Sequence, residues 1–174
     1  MDGSRQVLSW RRMALDLLAA YGANWIWVMV VFCLLGAVAG QSLLPYSLPY
    51  FSASFWLLVR FCGDDFLVGR PSLVLFFVLF CAPIVEEALF RMLPLEIVRN
   101  KRPEAAGVVV IIVCGVLFGL AQAVPQGMLI QGVGGMILGG LYLRNSQNQF
   151  AAYFSCVFVH ALCNFTVAMT AGII

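Results

Sequence analysis

Two adjacent carboxylates and a guanidinium fall within seven residues, Val85 to Arg91, inside an apolar stretch that runs from about Leu73 to Val98. A charge at bilayer depth costs roughly 2.5 to 3.5 kcal/mol on insertion scales, so three together demand a reason, and intramembrane chemistry is the leading one. On a helix Glu87 and Arg91 stand four residues apart in the acid-before-base order, so their side chains meet on one face and neutralise each other. Glu86 is turned about 100° from that pair, which leaves one carboxylate to face the interior of a helical bundle. The competing reading is a buried ion network that only joins helices.

Two further features favour chemistry. The single histidine, His160, has Asn164 four residues on, so an imidazole and a carboxamide share one helical face. Gln122 lies four residues after Phe118 on another apolar segment. At about 1.5 Å of rise per residue, Glu86 lies about 18 Å in from its helix end, His160 about 15 Å and Gln122 about 25 Å. Glu86 and His160 therefore share a layer, which Gln122 joins if its helix begins a turn or more after Ala105. Cys156, His160 and Cys163 also fall on one face, but a fourth ligand is lacking and the spacing is not a zinc signature, so no metal is expected. Buried thiols are the better account of these cysteines.

The elements that must position these groups are membrane helices. Of the 174 residues 63% are hydrophobic and 10% charged, and the mean hydropathy is +0.98. A soluble domain has about a quarter of its residues charged. The expected fold is all-α, a polytopic membrane bundle of about five, or six, transmembrane helices. Residues 5 to 20 mix arginines with apolar side chains and suit an interfacial helix. Spans follow at about Asn24 to Gly40, Ser72 to Val98, Ala105 to Val124, Gly127 to Leu143 and Phe150 to Ala171, each near the ~20 residues a bilayer requires.

Gly36 and Gly40, and Gly115 and Gly119, have the small-xxx-small spacing of close helix packing, and Gly132 to Gly140 read as packing glycines rather than a phosphate loop. Pro94 is expected to break its helix and leave an interfacial tail from Leu95 to Lys101. The chain divides into residues 1–70, with the interfacial helix, the first span and an apolar interfacial or re-entrant segment, and residues 71–174, the core that carries the chemistry.

Ser42 to Phe61 is the ambiguous segment, with Pro45, Pro49 and Arg60. If it does not cross, seven of the nine basic residues other than Arg91 collect on one side; if it does, the asymmetry largely disappears. Five spans with the N-terminus cytoplasmic are therefore expected. A formal net charge of +2 and the absence of a long basic run do not suggest nucleic acid.

The set of polar groups resembles the CAAX-prenyl endopeptidase and bacteriocin-processing family of intramembrane proteases, also called the Abi or CPBP family, whose motifs are EExxxR, FxxxH and HxxxN. The first is Glu86-Glu87-Ala88-Leu89-Phe90-Arg91 and the third is His160-Ala161-Leu162-Cys163-Asn164. The second is Phe118-Gly119-Leu120-Ala121-Gln122, with glutamine in the histidine's place. The resemblance covers about Leu73 to Met169 and implies a glutamate-type integral-membrane endopeptidase that needs no cofactor. Glu86 would be the general base and His160 and Asn164 the oxyanion donors. Glu87 with Arg91 would be the structural pair beside Phe118, and Gln122 would occupy the second catalytic position. The implied partners are the lipid bilayer and a membrane-associated peptide or protein substrate, and the short chain with its minimal core points to a bacterial inner membrane.

Glutamine does not titrate near neutral pH, so it positions water without sharing the proton work. The alternatives are a catalytically impaired pseudoprotease, or an engineered inactive variant, that binds membrane peptides or partners. A third is a proton-linked transporter or channel, against which stand the short chain and the lack of an inverted repeat.

Overall fold

The computed structural model describes residues 10–39, 71–99, 104–122 and 125–170, and all of its regular elements there are helical. The segment Ser42 to Phe61, residue Gly40 and the basic pair Lys101 and Arg102 lie outside the described residues. The first helix, α1, spans Trp10–Ala39 in 30 residues without a break, so Arg11 and Arg12 and the apolar stretch after them lie on one continuous helix. Its first part is anchored on the core: Asp16 is buried and pairs with Arg144 at 2.9 Å.

The second helix, α2, covers residues 71–99 and is built of five pieces: α-helix at Pro71–Phe76, a wider π turn at Phe77–Cys81, α-helix at Ala82–Glu87, a second π turn at Ala88–Met92, and α-helix at Leu93–Arg99. Each π turn ends two residues before a proline, Pro83 or Pro94. Proline has no N–H to donate, and its ring clashes with the carbonyl four residues earlier. Spacing the bonds five residues apart relieves that clash and keeps the helix going, as seen where Ala82 N–H donates to Phe77 O and Leu93 N–H to Ala88 O. Pro94 therefore does not break the helix, which continues to Arg99.

Three helices complete the bundle: α3 at Glu104–Ala121, α4 at Pro125–Asn145, opened by proline at its first position, and α5 at Gln149–Thr170. In α3, Val108, Ile112, Val116 and Leu120 are exposed, together with Val109, Val113 and Leu117, while Gly107, Gly115, Phe118 and Gly119 on the other side are buried. Such a face belongs against hydrocarbon, and the reverse side packs on α4. Phe150, Phe154 and Phe158 form a similar exposed ridge on α5. Meanwhile Glu86, Glu87, Arg91, Gln122, Asn145, Ser155 and His160 are buried.

Apolar outside and charged inside inverts the order that water imposes and is the arrangement a lipid solvent favours. By length and hydropathy α1 (Arg11–Val31) and α5 (Gln149–Met169) are each able to cross a membrane, and Ala106–Ala121 is a shorter apolar helix.

At one end of the bundle the polar groups interlock. Glu96 pairs with Arg99 at 2.8 Å, accepts from Tyr142 Oη at 2.8 Å and accepts from Gln149, while Arg99 donates to Ser146 O. These bonds fasten the last turn of α2 to the α4–α5 turn. With Asp16–Arg144 they bring the start of α1, the end of α2, and the α4–α5 turn to the same end.

Candidate active site

Residues 82–91 of α2 and residues 153–164 of α5 face each other across the middle of the bundle. His160 lies between the two glutamates: Nδ1 is 2.7 Å from Glu87 Oε1, and Nε2 is 3.5 Å from Glu86 Oε2. The same Glu87 oxygen accepts from Arg91 Nη1 at 3.0 Å. A carboxylate oxygen already holding a guanidinium is an acceptor, so Nδ1 is the nitrogen that donates to it and Nε2 is turned to Glu86. The result is one chain, Arg91–Glu87–His160–Glu86, in which no member is more than 5% exposed.

An uncompensated charge in such a place costs several kcal/mol. Arg91 and Glu87 cancel. The geometry therefore sets the Glu86 carboxyl 3.5 Å from the His160 imidazole, beside the Glu87–Arg91 ion pair.

Phe118 of α3 closes one side of this chain. Its ring lies 4.3 Å from the Arg91 guanidinium carbon, a cation–π contact, and meets His160 edge-on at 6.0 Å between centroids. Gln122, one turn on, is placed just past the end of α3, where its backbone N–H bonds Gly119 O at 3.1 Å. Its side chain is buried, and the amide nitrogen has no hydrogen-bond partner among the described residues.

Asn164 points to α2 by a route the sequence did not announce. Its Nδ2 donates to Val78 O at 2.9 Å, inside the first π turn. The residue that would supply the i+5 donor to Val78 O is Pro83, which has none, and Ala82 N–H is engaged with Phe77 O. Asn164 therefore satisfies the carbonyl that Pro83 orphans. It keeps a second amide N–H.

Tyr153 adds a second bond between the two helices, donating from Oη at 2.7 Å to Ile84 O, a carbonyl that also accepts from Ala88 N–H. The two bonds hold α2 to α5 on either side of Pro83. Tyr153 was not among the residues expected from the sequence. The available signal was its spacing of seven residues before His160, which puts both on the same face of α5.

α1 also reaches toward this layer. Asn24 Nδ2 donates to Cys163 Sγ at 3.2 Å, and Tyr21 Oη is 2.9 Å from Thr166 Oγ1. Cys156 Sγ donates to Leu138 O at 3.2 Å, so the two cysteines flanking His160 are tied into helix contacts. Among the described residues no group of three or more His, Cys, Asp or Glu side chains is arranged to hold a metal ion.

Neither a curated protein nor a solved structure gives a match to the chain. A family model does: the one described as type II CAAX prenyl endopeptidase Rce1-like matches residues 69–166, which include α2, α3, α4 and most of α5, and with them Glu86, Glu87, Arg91, Phe118, Gln122, His160 and Asn164. That match spans more than half of the chain and carries each group of the buried site, in a helical bundle with the apolar exterior of a membrane protein. The chain belongs to the Rce1-like family of type II CAAX prenyl endopeptidases.

Proposed function

We propose that this membrane endopeptidase hydrolyses a peptide bond of a membrane-associated substrate with Glu86 as the general base. The observation that carries the reading is the buried Arg91–Glu87–His160–Glu86 chain, in which Glu87 is engaged by Arg91 and His160 Nδ1 while Glu86 lies at His160 Nε2. In the first step Glu86 removes a proton from a water whose oxygen attacks the scissile carbonyl carbon. The carbonyl π electrons move to oxygen, and the oxyanion is met by His160 Nε2–H and by the amide N–H of Asn164 that Val78 does not use. Collapse of the tetrahedral intermediate breaks the C–N bond, and the departing amine takes the proton that Glu86 gained. Removing one such oxyanion donor costs on the order of 100- to 1,000-fold in rate.

Within this scheme Glu87 and Arg91 take no proton. They fix the imidazole with Nδ1 as the donor and Nε2 toward the reaction, the service that a buried carboxylate performs for a catalytic histidine elsewhere. Gln122 orients the water through its amide. Glutamine at a position where the motif has histidine favours a second reading, in which the cavity binds membrane peptides without cutting them.

The discriminating assay uses purified protein in lipid vesicles with a prenylated peptide ending in a CAAX sequence, and with the same peptide unprenylated. Cleavage that vanishes in Glu86→Ala supports the hydrolytic reading, and cleavage that survives the substitution removes Glu86 as the base. Stable binding of peptide with no product in either protein supports the second reading instead.

A further inference from the structure

Gly135 of α4 lies against the catalytic cluster although no motif contains it. Arg91 Nε donates to Gly135 O at 3.4 Å. A Cβ placed on Gly135 would fall on Arg91 Nη2 and lie 3.2 Å from Phe118 Cδ1. The guanidinium is therefore fixed on three sides: by Glu87 at Nη1, by the Phe118 ring on one face and by the bare α4 backbone at its Nε and Nη2 edge. Other glycines of the same helix do something different. A Cβ at Gly139 would meet only the apolar side chain of Ile111, and one at Gly140 would meet nothing within 4 Å.

A planar guanidinium oriented at its Nε edge, at Nη1 and on one face has little freedom to rotate. Its orientation sets that of Glu87 Oε1, which in turn holds His160 Nδ1 at 2.7 Å. Any side chain at 135 displaces Nη2 and passes the displacement along this chain.

We propose that Gly135 is a positioning residue of the active site: its missing side chain leaves the berth for the Arg91 guanidinium, through which Glu87 and the His160 tautomer are set. The inference deepens the hydrolytic reading and rests on it for its catalytic consequence.

His160 is the single histidine of the chain, so the ring nitrogen signals of a ¹⁵N-histidine-labelled protein in vesicles report on it alone. Those signals and peptide cleavage are measured for the wild type, Gly135→Ala, Arg91→Lys and the double variant, with Gly140→Ala as the control. The wild type is expected to show a neutral-Nδ1–H or doubly protonated ring with a strong Nδ1 hydrogen bond. Gly135→Ala is expected to weaken that signature and to lower kcat by about 10- to 100-fold with KM within about twofold, the scale of a small misplacement of a reacting group. Lysine has no Nη2, so adding Gly135→Ala to Arg91→Lys is expected to change neither readout by more than about twofold, a coupling that additive structural damage does not produce.

Equal losses from Gly135→Ala in both backgrounds, or an unchanged His160 signature in the single variant, would overturn the proposal. If Gly135→Ala does not accumulate as folded protein, recovery of folded protein by Arg91→Lys supports the berth, and no recovery overturns it. A wild type that cleaves nothing sinks the hydrolytic reading, while the ring signals still decide whether Gly135 sets His160.

Discussion

The α3–α4 and α2–α5 contacts are both close helix pairings inside one bundle, and they are made in opposite ways. Between α3 and α4 glycines make the approach: a Cβ on Gly115 would fall on the Met136 side chain and lie 2.8 Å from Gly132 O, and one on Gly132 would lie 3.2 Å from Gly115 O. Gly115 and Gly132 let the two backbones approach closely while apolar side chains such as Met136 and Ile111 pack against neighbouring glycines, which is how helices associate where lipid removes the hydrophobic drive. Between α2 and α5 the side chains do the joining, and they bond to backbone carbonyls or to each other: Asn164 to Val78 O, Tyr153 to Ile84 O, and His160 to Glu87. The first pairing is regular; the second is irregular, with two π turns, and holds the Glu86, Glu87 and His160 cluster. A helix that must present two adjacent glutamates to one histidine gives up regularity, and the bonds that compensate come from its neighbour.

If that contrast is right, substitutions in the polar pairing split into effects on rate and effects on stability, whereas those in the glycine pairing change stability alone. The largest effect is expected for His160→Gln, which keeps a polar side chain but removes the titrating ring. Turnover should fall by about 100- to 10,000-fold, measured as kcat on a peptide substrate in vesicles. Next is Arg91→Leu, which leaves Glu87 buried without its cation and should cost about 3 to 5 kcal/mol in denaturant unfolding.

Asn164→Ala leaves Val78 O without a side-chain donor and is expected to destabilise by about 1 to 3 kcal/mol. It should also lower kcat, so unfolding and turnover measured on one preparation test both of its bonds. Gly115→Ala forces α3 from α4 and should cost about 1 to 3 kcal/mol with kcat of the folded fraction unchanged; a selective loss of kcat would break the comparison. Tyr153→Phe gives the smallest change, about 0.5 to 1.5 kcal/mol for one hydrogen bond, read as a shift in the unfolding midpoint.

Much of this contrast was legible in the residues. Charges at apolar depth and the spacings 87/91, 118/122 and 160/164 locate the three helices and the layer that Glu86 and His160 share. Helix periodicity carries such information because it is local. The π turns are not local in the same sense: Pro83 announces a missing donor, but whether the helix breaks or widens depends on a partner for Val78 O, and that partner is on α5, 86 residues away. Pro94 misleads likewise, since the π turn before it carries the helix on to Arg99.

The partner of the buried Asp16 is likewise distant in the chain, Arg144 in the last turn of α4. Gly135 looks like any packing glycine until the Arg91 guanidinium is found against it. Gln122 was legible as a departure from the motif, and the structure adds that its amide nitrogen is buried with no hydrogen-bond partner among the described residues.

The central claim is the division of labour between the adjacent glutamates, with Glu86 for proton transfer and Glu87 for holding His160 and Arg91. The most direct measurement compares Glu86→Gln and Glu87→Gln side by side, with kcat and the unfolding midpoint recorded for each in the same vesicles. The account predicts that Glu86→Gln keeps the fold and loses turnover by about 100-fold or more, while Glu87→Gln loses stability by about 3 kcal/mol or more. Cleavage that persists in a folded Glu86→Gln, or a Glu87→Gln as stable as the wild type, would contradict it.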